Sequence, residues 1–317
     1  MQKRWKISEP LSEELQRQKE HIVENIKCPE MIAEMLIRKE LIEIGDIEEF
    51  FHPDLNNMHD PFLYKDMKKA TERIISAIDN KELITIYGDY DVDGTTSSAL
   101  LHLGLKKIGA NIEYYIPHRM IDGYGLSLSG VDILKENGTE LIISVDCGIN
   151  AIEEVEQIND LGMDIIVTDH HNPKEELPKA YAIINTKMKG CGYPYDMLAG
   201  VGVAYKLLIA VYSQLEINTD ELIDKYIDLV ALGTIADIVP LTGENRIIAS
   251  LGLDRLLKKQ NIGLNALINL AGLSQKELNS ADIVFGIAPR INAAGRMGSA
   301  MRAVELMVSV DEEERKS

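Results

Sequence analysis

Along residues 1 to about 80 the apolar positions recur only at helical spacing. LSEELQRQKEHIVENI starts after Pro10, PEMIAEMLIRK follows Cys28, and KDMKKATERIISAI runs up to the first short apolar run, which together predict an all-helical preface. From residue 83 the pattern changes. Short apolar runs, LITIY (83–87), IEYYI (112–116), LIISV (141–145), DIIVT (164–168) and AYAIIN (180–185), alternate with helical stretches over 95–108, near 129–137 and over 150–161. Strands that are apolar on both faces and separated by helices of this length predict βαβ units. The expected fold class is therefore α/β, with a doubly wound, mainly parallel five-stranded sheet whose ligands lie at the carboxyl ends of the strands.

After about residue 196 the helical period returns in AGVGVAYKLLIAVYSQL, TDELIDKYIDLVALGTIA, ENRIIASLGLDRLLKK and GLNALINLAG. The expected organisation is an N-terminal helical segment over 1–80, an α/β core over 81–195, and a helical part over 196–317 that begins a connector to a further domain. The terminal DEEERKS is polar and carries no helix stop signal, as expected of a piece of a longer protein.

Composition narrows this picture only at a few points. The 317 residues are 45% hydrophobic and 26% charged, an ordinary globular balance. The start, MQKRWKISEP, leads into no apolar signal core, and no run approaches a membrane span, so a cytoplasmic protein that binds no membrane is expected. Three scattered cysteines, Cys28, Cys147 and Cys191, read as buried free thiols rather than a disulfide framework or a zinc site. A net charge of −18 excludes nucleic-acid binding through a broadly basic surface. It leaves room for a local site in which bound cations reverse the sign.

The candidate chemistry sits where the strands end. YGDYDVDGTTSS (87–98) puts Asp89, Asp91 and Asp93 at alternate positions after LITI, where an extended backbone would point all three to one side. SVDCGIN places Asp146 at the end of the third strand, and VTDHHNP places Asp169, His170 and His171 at the end of the fourth. In a doubly wound sheet these exits share one edge. Each motif alone has a plain reading: a DxDxD is usually a solvated turn or a calcium-type loop, and a histidine pair usually satisfies buried backbone groups. Their coincidence at successive strand ends favours a common pocket.

Carboxylates with imidazole suit Mg²⁺ or Mn²⁺, and so many donors suggest two ions about 3.5 to 4 Å apart that share a carboxylate and hydrolyse a phosphoryl ester. Gly94 and the hydroxyls of TTSS are expected to form a tight turn and helix N-caps that leave free amides for an anion. Neither GxxxxGK[ST] nor GxGxxG occurs, which lowers the odds for a nucleoside triphosphatase or a dinucleotide-dependent oxidoreductase.

At these residues the sequence resembles the DHH phosphoesterase superfamily, and within it the RecJ family of single-strand-specific exonucleases. YGDYDVDGTTSS, SVDCG, VTDHH and ALGTIADIVPL match its four motifs, while HDPFLYKDMKKATERI (59–74), IPHRMIDGYGLS (116–127) and PRINAAGRM (289–297) are typical of RecJ. The resemblance covers nearly the whole chain from about residue 45. It implies metal binding by Asp89, Asp91, Asp93, Asp146, His170 and Asp237, with Asp146 as the bridge and two Mn²⁺ or Mg²⁺ ions as cofactor. Only the resemblance recruits Asp237. His171 would contact the scissile phosphate or the attacking water, and Asp169 would orient the histidines.

The resemblance further implies phosphate contacts by Arg119 and Arg296, with Arg290 and Asn292 beside them. The plain alternative for Arg290 is a structural salt bridge. Tyr124 reads equally as a base-stacking residue or a turn tyrosine. The implied function is a 5′-to-3′ exonuclease that hydrolyses single-stranded DNA to mononucleotides in DNA repair and recombination. Its partners would be single-stranded DNA and, in the full-length protein, a helicase or single-strand-binding protein.

Family members continue into a further substrate-binding domain that this sequence does not include. Two alternatives stand beside the exonuclease: a DHH phosphodiesterase on short oligonucleotides or cyclic dinucleotides, separable by substrate preference, and a non-catalytic DHH scaffold, which should have lost ligands that are all present here.

Overall fold

The computed structural model describes residues 9–119, 122–258, 261–274, 277–297 and 299–309; MQKRWKIS and the terminal DEEERKS lie outside them. Two compact units divide after Asn56. In the first, α1 (Glu13–Ile26), α2 (Glu30–Ile37) and α3 (Ile44–Phe51) enclose a small core of Ile22, Ala33, Leu36, Ile37, Leu41 and Ile47. Ser12 caps α1 by accepting from the Leu15 N–H at 3.3 Å, and Pro29 stands immediately before α2, where its missing N–H costs nothing. The helix α3 has no counterpart in the periodicity reading.

The second unit begins with α4 (Met67–Asn80), which packs on the sheet through Met67, Ala70, Ile74 and Ala77. The strands β1 (Ile84–Gly88), β2 (Ile112–Tyr115), β3 (Leu141–Val145), β4 (Asp164–Asp169) and β5 (Ala182–Asn185) form one sheet in the order β2-β1-β3-β4-β5, with every pairing parallel. Between β1 and β3 the strand order reverses direction, and there a doubly wound sheet opens its crevice.

Alternation along the strands explains the two cores. Ile84, Ile86, Leu141, Ile143, Val145, Ile166, Ala182 and Ile184 face one side, and Tyr87, Ile142, Ile165, Val167 and Ile183 the other. The second side is covered by α6 (Leu128–Glu136) and α7 (Ile152–Asp160) through Val131, Leu134, Val155 and Ile158.

The first side carries α5 (Val92–Lys107), which is buried on nearly every face and is enclosed between the sheet and the helices α8 (Gly200–Gln214) and α9 (Thr219–Ala236). A helix without a polar face is what such a central position requires. Gly104 permits the close approach, since a methyl group there would fall 2.4 Å from Leu208. The helices after residue 196 therefore complete the core of the α/β layer itself. Beyond them come α10 (Gly243–Leu257), α11 (Ile262–Leu270), α12 (Ser280–Asp282), a π-helical turn over Ile283–Ile287, α13 (Ala288–Met297) and α14 (Met301–Val308). Among the described residues no helix is long and apolar enough to cross a membrane. Of the three free cysteines, Cys147 and Cys191 are buried and Cys28 only partly so.

One buried ion pair ties these layers together. Lys206 Nζ on α8 lies 2.6 Å from Glu244 Oε1 on α10 and donates to the His59 carbonyl at 2.8 Å. Glu244 also accepts from the His59 N–H at 2.9 Å and from the Tyr193 hydroxyl at 2.7 Å. Burial pulls the Lys206 ammonium below its ordinary value, and Glu244 pulls it part of the way back. Removing one partner strands the other charge in the interior. The variant Lys206→Met is therefore expected to lose about 3–5 kcal/mol in urea unfolding, and Lys206→Met with Glu244→Gln to recover part of that loss.

Candidate metal centre

Each acidic residue arrives by a different piece of backbone. The chain leaves β1 through Asp89 and turns at once into α5, with Asp91 as the N-cap whose Oδ1 accepts from the Gly94 N–H at 3.0 Å. The turn is tight enough to demand glycine: a Cβ at Gly94 would lie 2.5 Å from the Asp89 carbonyl oxygen. The structure corrects the expectation for TTSS. The hydroxyls of Thr95, Thr96, Ser97 and Ser98 donate to the carbonyls of Asp91, Val92, Asp93 and Gly94 four residues back, so they satisfy themselves within the helix and cap nothing. The cap is Asp91, and the helix starts earlier than the periodicity suggests, because DVD supplies no apolar rhythm.

Asp93 lies in the first turn of α5, fully buried, and its two oxygens accept from the Gly200 and Val201 N–H groups at 2.7 and 2.8 Å. These are the free amides at the start of α8, which bear positive partial charge. Gly200 also has to be glycine, since a Cβ would sit 2.8 Å from Asp146 Oδ1. Asp146 follows β3 with φ +59, a left-handed backbone that aspartate tolerates, and its N–H donates to the Thr168 carbonyl at 3.0 Å. Asp237 comes from the end of α9, far downstream in sequence.

These groups converge on one histidine. His170 Nε2 lies 3.1 Å from Asp146 Oδ1, 3.7 Å from Asp237 Oδ2 and 3.8 Å from Asp93 Oδ2. Among the described residues three sets of donor atoms, each within 4.8 Å of one another, can be drawn: Asp146, His170 and His171; Asp93, His170 and Asp237; and Asp89, Asp91 and Asp146. Asp146 and His170 each belong to two sets, so the sets adjoin. The structure thus brings together all six residues expected as ligands and adds His171 to their edge.

The electrostatics separate the acids into two kinds. Asp169 is buried, which by itself would raise it, yet its carboxyl is held below the ordinary value by His171 and by amide donors. Its Oδ1 accepts from the His170 N–H at 2.7 Å, the His171 N–H at 3.0 Å and His171 Nδ1 at 2.7 Å, and its Oδ2 accepts from the Ile149 N–H at 2.9 Å. The other buried acids receive too few donors to offset burial and mutual repulsion. Burial, followed by repulsion from Asp91, pushes Asp89 and Asp93 up to about 7; burial and then Asp93 push Asp237 up to about 7 and Asp146 well above its ordinary value.

Burial also lowers His170, which favours the neutral ring with one nitrogen unprotonated and able to act as a ligand. Among the described residues Asp89 Oδ2, Asp146 Oδ1 and both ring nitrogens of His170 are buried without a hydrogen bond. Divalent cations fit this donor set, because they would take up the unpaired carboxylate oxygens and the Nε2 lone pair that faces them.

His171 behaves differently. Its hydrogen bond to Asp169 outweighs burial and raises its pKa, and its Nε2 lies 3.1 Å from the Tyr124 hydroxyl. That hydroxyl also donates to the Asp146 carbonyl at 3.3 Å, while the Tyr124 ring stays half exposed. A cavity of about 250 Å³ opens beside this pair, lined by Cys147, Asn150, Glu154 and Asp169 among others.

The expected phosphate contacts are placed less uniformly. Arg119 is exposed and lies 4.9 Å over the Tyr90 ring, which meets Tyr124 edge-on at 6.2 Å, so it stands on the rim of the site. Arg296 is exposed on α13, next to Gly295, where an added Cβ would lie 3.4 Å from the Tyr90 carbonyl oxygen. Arg290 donates to the Gly286 carbonyl at 2.5 Å, and Asn292 is half-buried on the same helix. Among the described residues neither hydrogen-bonds to the carboxylates. The amides of Gly200 and Val201 escape sequence reasoning, although the glycines of AGVGVA, at the start of a helix, are the signal that points to them.

Residues 83–234 match the DHH family, N-terminal domain. The single-stranded-DNA-specific exonuclease RecJ of Bacillus subtilis (strain 168) is 42% identical over 308 residues, covering 97% of this chain and 38% of that protein. The crystal structure of RecJ in complex with Mn²⁺ from Thermus thermophilus has a TM-score of 0.77 at 29% identity, covering 94% of this chain and 42% of that one. A crystal structure of exonuclease RecJ bound to manganese has a TM-score of 0.71 at 34% identity, covering 80% of this chain and 63% of that one. The chain spans well under half the length of the B. subtilis relative.

Two outcomes follow from the geometry. In chelator, Asp89, Asp93 and Asp237 hold protons in the fold up to about pH 7 but release them near their ordinary value when unfolded, so the metal-free fold loses stability as pH rises from about 4 to about 7. Thermal denaturation in EDTA across that window should show the fall, and Asp89→Asn should make it shallower. Gly200→Ala should displace Asp146 and weaken Mn²⁺ binding about 10- to 100-fold in a calorimetric titration.

Proposed function

The chain belongs to the DHH family through residues 83–234, and from that premise we propose that it is the catalytic part of a metal-dependent exonuclease that hydrolyses single-stranded DNA. The reading includes a 5′-to-3′ direction, mononucleotide products and a place in DNA repair and recombination in the cytoplasm. The full-length protein would work beside a helicase or a single-strand-binding protein. One observation carries it: Asp93, Asp146 and Asp237, from three separate segments, all lie within 3.8 Å of His170 Nε2, at the strand-end crevice of a parallel sheet.

Asp89, Asp91, Asp93, Asp146, His170 and Asp237 would hold two Mn²⁺ or Mg²⁺ ions, with Asp146 shared between them. When bound, the ions supply a water-derived nucleophile at neutral pH and neutralise charge on the leaving oxygen. The remaining work belongs to the chain. Asp93 is fixed by the amides of Gly200 and Val201, so its oxygens need no reorganisation when substrate arrives.

Asp169 accepts the Nδ1 proton of His171 and thereby fixes its ring. The raised pKa of His171 keeps a proton available toward a phosphate oxygen near neutral pH. Arg119 and Arg296 supply fixed positive charge at the rim, where the net charge of −18 would otherwise repel a polyanion. Arg290 and Asn292 would follow the backbone farther along α13.

The test uses a long 5′-phosphorylated single strand, the same sequence as a duplex, and a dinucleotide, each incubated in Mn²⁺ with this chain and with a full-length relative. Mononucleotides should accumulate from the single strand, and Asp146→Ala should reduce the rate about 1,000-fold or more, as expected for a group that acts as a unit with its neighbours. A preference for the dinucleotide would sink the exonuclease reading in favour of a small-substrate phosphodiesterase. Unchanged activity and Mn²⁺ binding in Asp146→Ala would sink the two-metal assignment.

A further inference from the structure

The described non-glycine residues with a left-handed backbone are Lys27, Glu40, Lys81, Asp146, Glu216 and Ile238. Lys27, Glu40, Lys81 and Glu216 follow helices and carry unbranched polar side chains, and aspartate tolerates the region. Ile238 stands apart. It has φ +62 with a branched Cβ, which makes it a genuine outlier, and its side chain is 75% exposed. Glycine would end α9 there without backbone strain and without an exposed apolar group. Two local penalties coincide at this one position, as expected of a residue whose side chain serves something outside the chain.

Its location says what that is. Ile238 immediately follows Asp237, whose Oδ2 lies 3.7 Å from His170 Nε2. Asn245 Nδ2 donates to the carbonyls of both Met197, at 2.5 Å, and Pro240, at 3.0 Å, and so ties the loop of Ile238 to the loop of Met197. The Met197 side chain is also partly exposed, and three residues later Gly200 donates to Asp93. The two loops that support the carboxylates therefore each present an apolar side chain to solvent.

We propose that Ile238, with Met197 on the adjoining loop, is an apolar shelf of the substrate site, on which the sugar and base of the nucleotide flanking the scissile phosphate rest. This inference rests on the reading of the chain as a single-strand nuclease. A contact of this kind is indifferent to sequence, because every nucleotide presents an apolar sugar edge and base face. It also complements the carboxylate cluster, which through bound cations can grip only the phosphate.

Ile238→Gly and Ile238→Asn both accept a left-handed backbone and remove the apolar group. Kinetics on a 5′-phosphorylated oligodeoxynucleotide and on bis(p-nitrophenyl) phosphate, which has no nucleoside, are measured with thermal denaturation and a Mn²⁺ titration. Both variants should melt no lower than the parent and bind Mn²⁺ within twofold of it. Their KM for the oligodeoxynucleotide should rise about 5- to 10-fold, with no such rise for the small diester.

An oligodeoxynucleotide KM within twofold of the parent in both variants overturns the shelf. So does an equal loss on both substrates alongside weaker Mn²⁺ binding, which would make Ile238 only a prop for Asp237. A parent protein that degrades the small diester but no single strand overturns the nuclease reading, and the shelf with it.

Discussion

Mutual repulsion among buried carboxylates is the constraint around which this molecule is arranged. In a dry pocket a carboxylate without donors is held protonated, and several of them together are held more firmly. The chain answers for one acid and leaves the others waiting. Asp169 receives two backbone amides nearby in sequence, the Ile149 amide and an imidazole, so it stays ionised at its depth. Asp89, Asp146 and Asp237 receive far less, and even the two amides given to Asp93 leave it above its ordinary range. An orienting acid and a set of prospective ligands thus differ by their donors, although all are aspartates.

The fold makes this gathering tolerable through helix ends and close approaches. Both α5 and α8 begin at the pocket, and their unpaired amides contribute positive partial charge where the acids crowd. Those starts can be reached only because Gly94 and Gly200 lack a side chain, and they persist because α8 and α10 are locked by Lys206 and Glu244. The same lock bears on the end of α9, since Asn245, next to Glu244, holds the carbonyl of Pro240 in the loop after Asp237. Stability and site geometry are therefore carried by the same contacts.

At the rim the chemistry changes from charge to contact. Tyr90, Tyr124 and His171 meet edge to face in sequence, with Arg119 over the first ring. A polyanion approaching an acidic protein needs such a local reversal of field, and a nucleotide needs neutral surface beside it. Here one guanidinium and a run of ring faces stand beside the carboxylates.

The α/β alternation from residue 83 onward, the parallel sheet and the convergence of Asp89, Asp91, Asp93, Asp146, Asp169, His170 and His171 could all be read from the chain. Each depends on local periodicity and on a topological rule that sends successive strand ends to one edge. Asp237 is different in kind: no rhythm in TIADIVP assigns it, and only the packing of α9 against α5 brings it to His170. The amides that hold Asp93, the Tyr124 hydroxyl on Asp146 and the strained, exposed Ile238 likewise belong to tertiary structure. Sequence pattern reports what a residue does to its own segment, whereas hydrogen-bond partners and exposure are set by other segments, some of them far along the chain, as Gly200 is from Asp93.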